Sequence, residues 1–268
     1  MGNTIFSVAG CSRCKIVKQF MADRGIAFVE KDVKGDGKED FQEFYKANRK
    51  LIYRTPDGIT FPVFTDGISI YQGLGAIIAY LHSGKQLEGF FSVGTLRKEW
   101  INGIHVSLGQ SEYSEEFIQV LGYLKNNNFK LEVETNGKNS VILQKVLDEG
   151  LADRAIMNVL GPRELYSELL GEEIDFGEIE ESMKLTTQFP EYRFETVIAP
   201  ITGNESDPSG TSYMAPEEIE KTAKMIVDAT GSMKNPYVIK PFNPKDIPES
   251  ELLKYRSRAR RHQVYTEI

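Results

Sequence analysis

Cysteine is nearly absent from this chain: there are two, both in Cys11-Ser12-Arg13-Cys14, and none after Cys14. A pair so sparse and so closely spaced cannot build the disulfide framework of a small secreted domain, and it reads as redox-active or metal-linked instead. Histidine is almost as scarce. His82, His105 and His262 are the only ones, and none has ligand spacing to the cysteines, so redox chemistry is favoured over half of a zinc site and no cofactor is expected. A third reading makes the two cysteines buried packing residues. Positive charge is also in deficit, at a net −7, which argues against nucleic acid as a partner. No apolar run approaches the roughly 20 residues of a membrane span. The start, Met1-Gly2-Asn3-Thr4-Ile5-Phe6, lacks the basic and apolar regions of a signal peptide. Ser7 to Cys11 resembles a lipoprotein box, and Met1-Gly2 a myristoylation start, only without their required context. A cytoplasmic protein with no membrane partner is the expectation.

What is present is an ordinary globular composition, 40% hydrophobic and 26% charged over 268 residues, enough for two cores. Thr4–Val8 is β-prone. Ser12–Arg24 carries apolar residues at Ile16, Val17, Phe20 and Met21 in helical spacing, and Gly25 stops it. Ile26–Val33 reads as a second strand and Asp40–Leu51 as a second helix. Thr60–Phe64, the turn Asp66-Gly67 and Ile68–Tyr71 read as a hairpin, and Gly75–Ser83 as a closing helix.

That order, with the CxxC at a helix start, Phe61-Pro62 opening the third strand and Tyr71-Gln72-Gly73-Leu74-Gly75 before the last helix, resembles a glutaredoxin. The resemblance covers residues 3 to about 90 and implies a thioredoxin-fold domain, taken as 1–91. Cys11 at the N-terminus of its helix, with Arg13 and Lys15 nearby, is the expected nucleophile and Cys14 the resolving thiol. Arg13, Phe61, Pro62 and Gly73 are the expected substrate-binding residues. The resemblance implies a cis bond at Pro62, leaving neighbouring backbone to pair with a substrate strand, and an ordinary edge-strand proline is the alternative. Glutathione-using relatives carry a basic residue shortly before the first cysteine and a Gly-Gly followed by an acid. This chain has Ser7-Val8-Ala9-Gly10 and Gly73-Leu74-Gly75-Ala76, which points to a reductase, rather than glutathione, as electron donor.

Phe90-Phe91-Ser92-Val93-Gly94 reads as a seam, followed by a helix start around Thr95. Beyond it strands and helices alternate: Ile101–Leu108, Lys130–Glu134, Arg154–Leu160, Tyr192–Ile198, Tyr237–Phe242 and Val264–Glu267 as strands, with helices between. This is the pattern of an open α/β barrel or a doubly wound sheet. Gly103-Ile104-His105-Val106-Ser107, Leu131 to Gly137, Met157-Asn158-Val159-Leu160-Gly161-Pro162, Phe194 to Pro200 and Ile239 to Pro244 together resemble the activating-enzyme branch of the radical S-adenosylmethionine family. The family's CxxxCxxC loop is missing. Its Gly-Gly-Glu-Pro appears as Leu108-Gly109-Gln110-Ser111, and its Asp and Lys after the strand methionine appear as Asn158 and Leu160. Gly109, Gln110, Asn136 and Asn158 therefore mark a degenerate cofactor site in a partial barrel, residues 92–268, and Gly137 and Gly161 read as turn positions. Asn136 is a possible cap of the following helix. Asn204 to Gly210 reads as a polar connection, and the basic run Lys254, Arg256, Arg258, Arg260, Arg261 as the outer face of a helix.

The function these features imply is a dithiol–disulfide oxidoreductase whose second part docks it onto a protein disulfide client, with an anaerobic radical enzyme as the named candidate and a reductase as electron donor. The alternatives are a non-catalytic assembly or redox-sensing module, and an iron–sulfur cluster carrier through Cys11.

Overall fold

The computed structural model describes all residues except 1, 57, 97–98, 205–206 and 246, and it leaves out the side chains of 202–211. Its two compact units are Met1–Val133 and Glu134–Ile268.

The first unit begins with β1 (Asn3–Ser7), α1 (Ser12–Asp23), β2 (Phe28–Asp32) and α2 (Lys38–Ala47). Two short pairs follow, β3 (Arg54–Thr55) with β4 (Gly58–Ile59) and β5 (Val63–Thr65) with β6 (Ile70–Gln72), and then α3 (Leu74–Ser83). The sheet order is β2-β1-β5-β6, parallel at β1–β2 and antiparallel at β1–β5 and β5–β6. Ile5, Phe6, Val63 and Phe64 are buried on this sheet, and α1 brings Val17, Phe20 and Met21 to the core. The Asp66-Gly67 turn is built as its sequence suggests: Asp66 Oδ1 accepts from the Ile68 and Ser69 amides, and Gly67 has φ 92°.

Residues 90–94, which read as a seam, are packed rather than free. Phe90 is fully buried and its ring stacks on Phe117 at 4.4 Å. Phe90 and Ser92 bond antiparallel to β7 (Trp100–His105), through His105 N–H to Phe90 O and Ser92 N–H to Gly103 O. The helix start expected around Thr95 does not form. The Thr95 and Leu96 amides donate instead to Asn102 Oδ1, at 2.8 and 3.0 Å. The unit is completed by α4 (Ser114–Asn126), which packs on α3 and sets Tyr123 edge-on to Phe20 at 4.9 Å.

The division falls inside β8 (Lys130–Thr135). Then come α5 (Ser140–Asp148), β9 (Arg154–Asn158), α6 (Arg163–Leu170), α7 (Phe176–Thr186), β10 (Glu191–Ile198), β11 (Pro200–Asn204), β12 (Asp207–Tyr213), α8 (Pro216–Thr230), β13 (Tyr237–Pro241), α9 (Glu249–Ala259) and β14 (Thr266–Glu267). The six-stranded sheet runs β14-β13-β10-β9-β8-β7 and is parallel at β9–β10, β10–β13 and β13–β14. Its order never reverses, so of the two sequence expectations the doubly wound sheet, which needs a reversal, is excluded and a singly wound βα array stands.

Met157, Phe194, Ile198, Tyr237 and Ile239 bury one face of this array under α7, α8 and α9. Tyr237 donates to Thr196 Oγ1, which donates to Val159 O, so the polar atoms of that interior are paired.

Two expectations are corrected in this unit. Of the polar connection at 204–210, Asn204 ends β11 and residues 207–210 belong to β12, its antiparallel partner, while Glu205 and Ser206 lie outside the described residues. The N-cap of α5 is Asn139, not Asn136.

Candidate functional site

Gly10, at φ 76°, turns the chain out of β1, and Cys11 follows as the N-cap of α1 in extended conformation. Its Sγ accepts the Cys14 amide at 3.1 Å, and it is joined to Cys14 in a disulfide whose Cα atoms are 5.3 Å apart. The two sulfurs differ in surroundings. Cys11 is half-buried, whereas Cys14 faces the core at 2% exposure. An anion formed at Cys11 would meet the unpaired N–H groups and positive end of α1, the arrangement that favours thiolate over thiol.

Two cavities flank this pair. One, of about 310 Å³, is lined by Gly10, Cys11, Lys15, Lys18, Glu30 and Asp32 among others. Glu30 accepts from Ser7 Oγ and from Lys18 Nζ, each at 2.6 Å, and these bonds, Lys18 first, hold its carboxyl below the usual carboxylate range. The wall of the cavity that Cys11 lines therefore carries charges of both signs.

The other cavity, of about 350 Å³, lies between Arg13, the 58–60 stretch and Gly94 to Leu96. Here Arg13 Nη2 donates to Leu96 O at 2.5 Å and to Trp100 O at 2.7 Å, and burial pushes its pKa down from the ordinary arginine value. Bonds from a charged donor are worth about 1.5–3 kcal/mol, against about 0–1 for an exposed ion pair, so this tie outranks the surface pairs of the same unit. Trp100 itself lies under Lys130 Nζ, 5.5 Å from its ring centroid.

Of the other sequence-marked residues in the first unit, Phe61 precedes a cis bond to Pro62, and its ring packs on Phe41 at 5.3 Å. Gly73, at φ 84°, donates its N–H to Pro62 O at 2.9 Å. Gly109 is fixed by packing, since a Cβ there would lie 2.1 Å from the Phe90 ring. Gln110 opens a short 3-10 turn, Ser111–Tyr113.

Asn136 and Asn158 belong to the second unit. Asn136 Oδ1 accepts from the Lys138 amide at 3.2 Å, a local turn bond, and its carbonyl accepts from Tyr166. Gly137, at φ 101°, donates to Thr135 Oγ1 and accepts from Ser182, as a turn position does. Asn158 lies opposite Glu195 in the β9–β10 register.

The sequence reading passed over Glu195. It is 5% exposed and accepts from Arg193 Nε and Lys240 Nζ, both at 2.5 Å, on the sheet face opposite the α7–α9 core. One acid inside Phe194-Glu195-Thr196-Val197-Ile198 was its only signal. Within the basic run at 254–261, Arg258 reaches Glu217 and Glu220, Arg261 reaches Glu220, and Arg256 donates to Thr266 O.

No helix among the described residues is long and apolar enough to cross a membrane. No protein-family model matches the chain, and no curated protein matches it. Among solved structures, coproporphyrinogen III oxidase (HemN) from Escherichia coli, described as a radical SAM enzyme, is similar over 59% of this chain at 15% identity and a TM-score of 0.40. The chain spans 40% of the length of that enzyme.

Proposed function

We propose that the chain is a dithiol–disulfide oxidoreductase acting through Cys11 and Cys14. The observation that carries the reading is the asymmetry of the pair, a half-buried helix-capping sulfur at Cys11 and a buried one a turn later at Cys14. The order β2-β1-β5-β6, the helix-capping CxxC and Pro62 leading into β5 support a glutaredoxin-like, thioredoxin-fold domain. The singly wound βα array supports a degenerate, radical-SAM-like partial barrel that docks the redox site onto a client.

In the reaction the reduced Cys11 thiolate attacks a client disulfide. A Cys11–client bond forms, the client S–S bond breaks, and the departing client thiolate takes a proton from solvent. Cys14, losing its proton, then attacks the Cys11 sulfur and expels the second client thiolate. Two electrons pass to the client, and the Cys11–Cys14 disulfide closes. A reductase, rather than glutathione, returns the pair to the dithiol. An anaerobic radical enzyme is the proposed client because the barrel motifs are those of its activators.

Reduction of an insulin disulfide by the reduced full chain tests the reading, with loss of turnover expected in Cys11→Ser. In Cys14→Ser a stable mixed disulfide with the client accumulates. Equal rates for wild type and both variants overturn the proposal.

A further inference from the structure

We infer that residues 92–96 form a built-in strap along the substrate side of the dithiol site, tied down by Arg13, which denies that side to glutathione and leaves the cavity that Cys11 itself lines as the route to its sulfur. The inference rests on the proposed redox role of the pair and adds its selectivity.

The strap is held from both sides. On its outer side Ser92 N–H bonds Gly103 O at 2.8 Å, and Asn102 Oδ1 accepts from Thr95 and Leu96. Gly94 fits so closely that a Cβ there would lie 2.6 Å from Asn102 O. On its inner side Gly94 N is 3.8 Å from the position of a Gly73 Cβ, and Gly73 is bonded to Pro62 O. Leu96 O is held by the guanidinium of Arg13, the residue between Cys11 and Cys14. The strap thus runs beside Gly73, whose backbone is one of those against which a disulfide-linked peptide would lie, and the one cation between the cysteines already serves it. A tripeptide that needed Arg13 for a carboxylate and the Gly73 edge for its main chain would have to displace 92–96 first.

The cavity of about 310 Å³ that Cys11 lines carries none of residues 92–96 among its described lining, and its walls offer Lys15, Lys18, Glu30 and Asp32. A partner approaching there meets both signs of charge, as the mixed surface of a folded protein presents.

The test uses the full chain in the Cys14→Ser background, where reaction stops at the first mixed disulfide. Rate constants are measured for Cys11 with oxidised glutathione and with hydroxyethyl disulfide, a small neutral probe. In each case the Cys11 thiolate bonds to one probe sulfur, the probe S–S bond breaks, and the other half leaves as a thiolate that is protonated by solvent. The ratio of the two rates cancels any change in thiolate fraction. Arg13→Ala removes the tie. Asn102→Ala loosens the strap without altering charge near the cysteines, so it serves where loss of the Arg13 cation also weakens attraction for glutathione. We expect the glutathione-to-hydroxyethyl ratio to rise about tenfold in Asn102→Ala, the change that loss of one or two such bonds allows, and to rise in Arg13→Ala as well. An unchanged or lower ratio in both variants, with Cys11 still reacting with the small probe, overturns the strap alone. A Cys11 inert to both probes in every variant overturns the redox reading together with it.

Discussion

The two sheets of this protein treat polar residues in opposite ways. Beside the four-stranded sheet they gather at one strand end around an open cavity: Cys11 is half-buried there, and the wall carries Lys15, Glu30 and Asp32. In the six-stranded array the polar groups of the second unit satisfy one another. Glu195 is shared by Arg193 and Lys240, and Tyr237 hands its proton toward Thr196. A site poised for chemistry keeps a reactive group only partly satisfied, whereas a scaffold completes its bonds internally. On the proposed reading, the difference sets a reactive group at the first sheet against completed packing at the second.

The comparison can be broken by substitutions on each side. The largest effect is expected for activity: Cys11→Ser removes insulin reduction while leaving in place the urea midpoint measured under reducing conditions, where no Cys11–Cys14 disulfide is lost, and Glu195→Ala does the reverse, retaining turnover on this model substrate. Retained turnover in Cys11→Ser, or its loss in folded Glu195→Ala, would erase the distinction.

Next is Gly109→Ala. Its new methyl must move the Phe90 ring, so urea unfolding should show a loss of about 1–3 kcal/mol, the usual cost of overpacking. Glu195→Ala follows at about 1–2 kcal/mol. This is less than a fully buried pair would cost, because Arg193 and Lys240 keep side-chain exposures of 36% and 47% and turn to water when released.

The smallest effect concerns Glu30. Its folded pKa is depressed, so its contribution to stability is present above the ordinary glutamate range and is lost as pH falls through the folded value. Carboxyl titration by NMR should find it low in wild type and moved upward in Lys18→Ala. A wild-type value in the ordinary range would remove the Lys18–Glu30 bond from the cavity wall.

Much of the fold is legible from local pattern alone. The amphipathic spacing before Gly25 becomes α1, the Asp66-Gly67 turn links β5 and β6, and Pro216 opens α8. Residues Arg163–Leu170 escaped because the helix is short and follows Pro162 directly. The β11–β12 pair escaped because its residues are polar and turn-like, with no apolar alternation to betray strands.

At the site, the cysteines and Pro62 were readable because their chemistry sits in a compact motif. The partners of Arg13 were not, since Leu96 and Trp100 lie 83 and 87 positions away and contribute only carbonyls, which carry no side-chain signature. The same holds for the basic run of α9, whose carboxylate partners on α8 lie about forty positions upstream.

The stacking of Phe90 on Phe117 bears on how portable the CxxC-bearing part can be. A piece of the chain ending at Phe91 would keep the cysteines and all four strands of their sheet, yet it would bare a wholly buried ring, strip Tyr123 from Phe20 and delete both carbonyls held by Arg13. Any transplant of this dithiol site into another protein therefore has to carry β7 and α4 with it, so the smallest transferable block runs to about Val133 and not to the apparent end of the redoxin-like sequence.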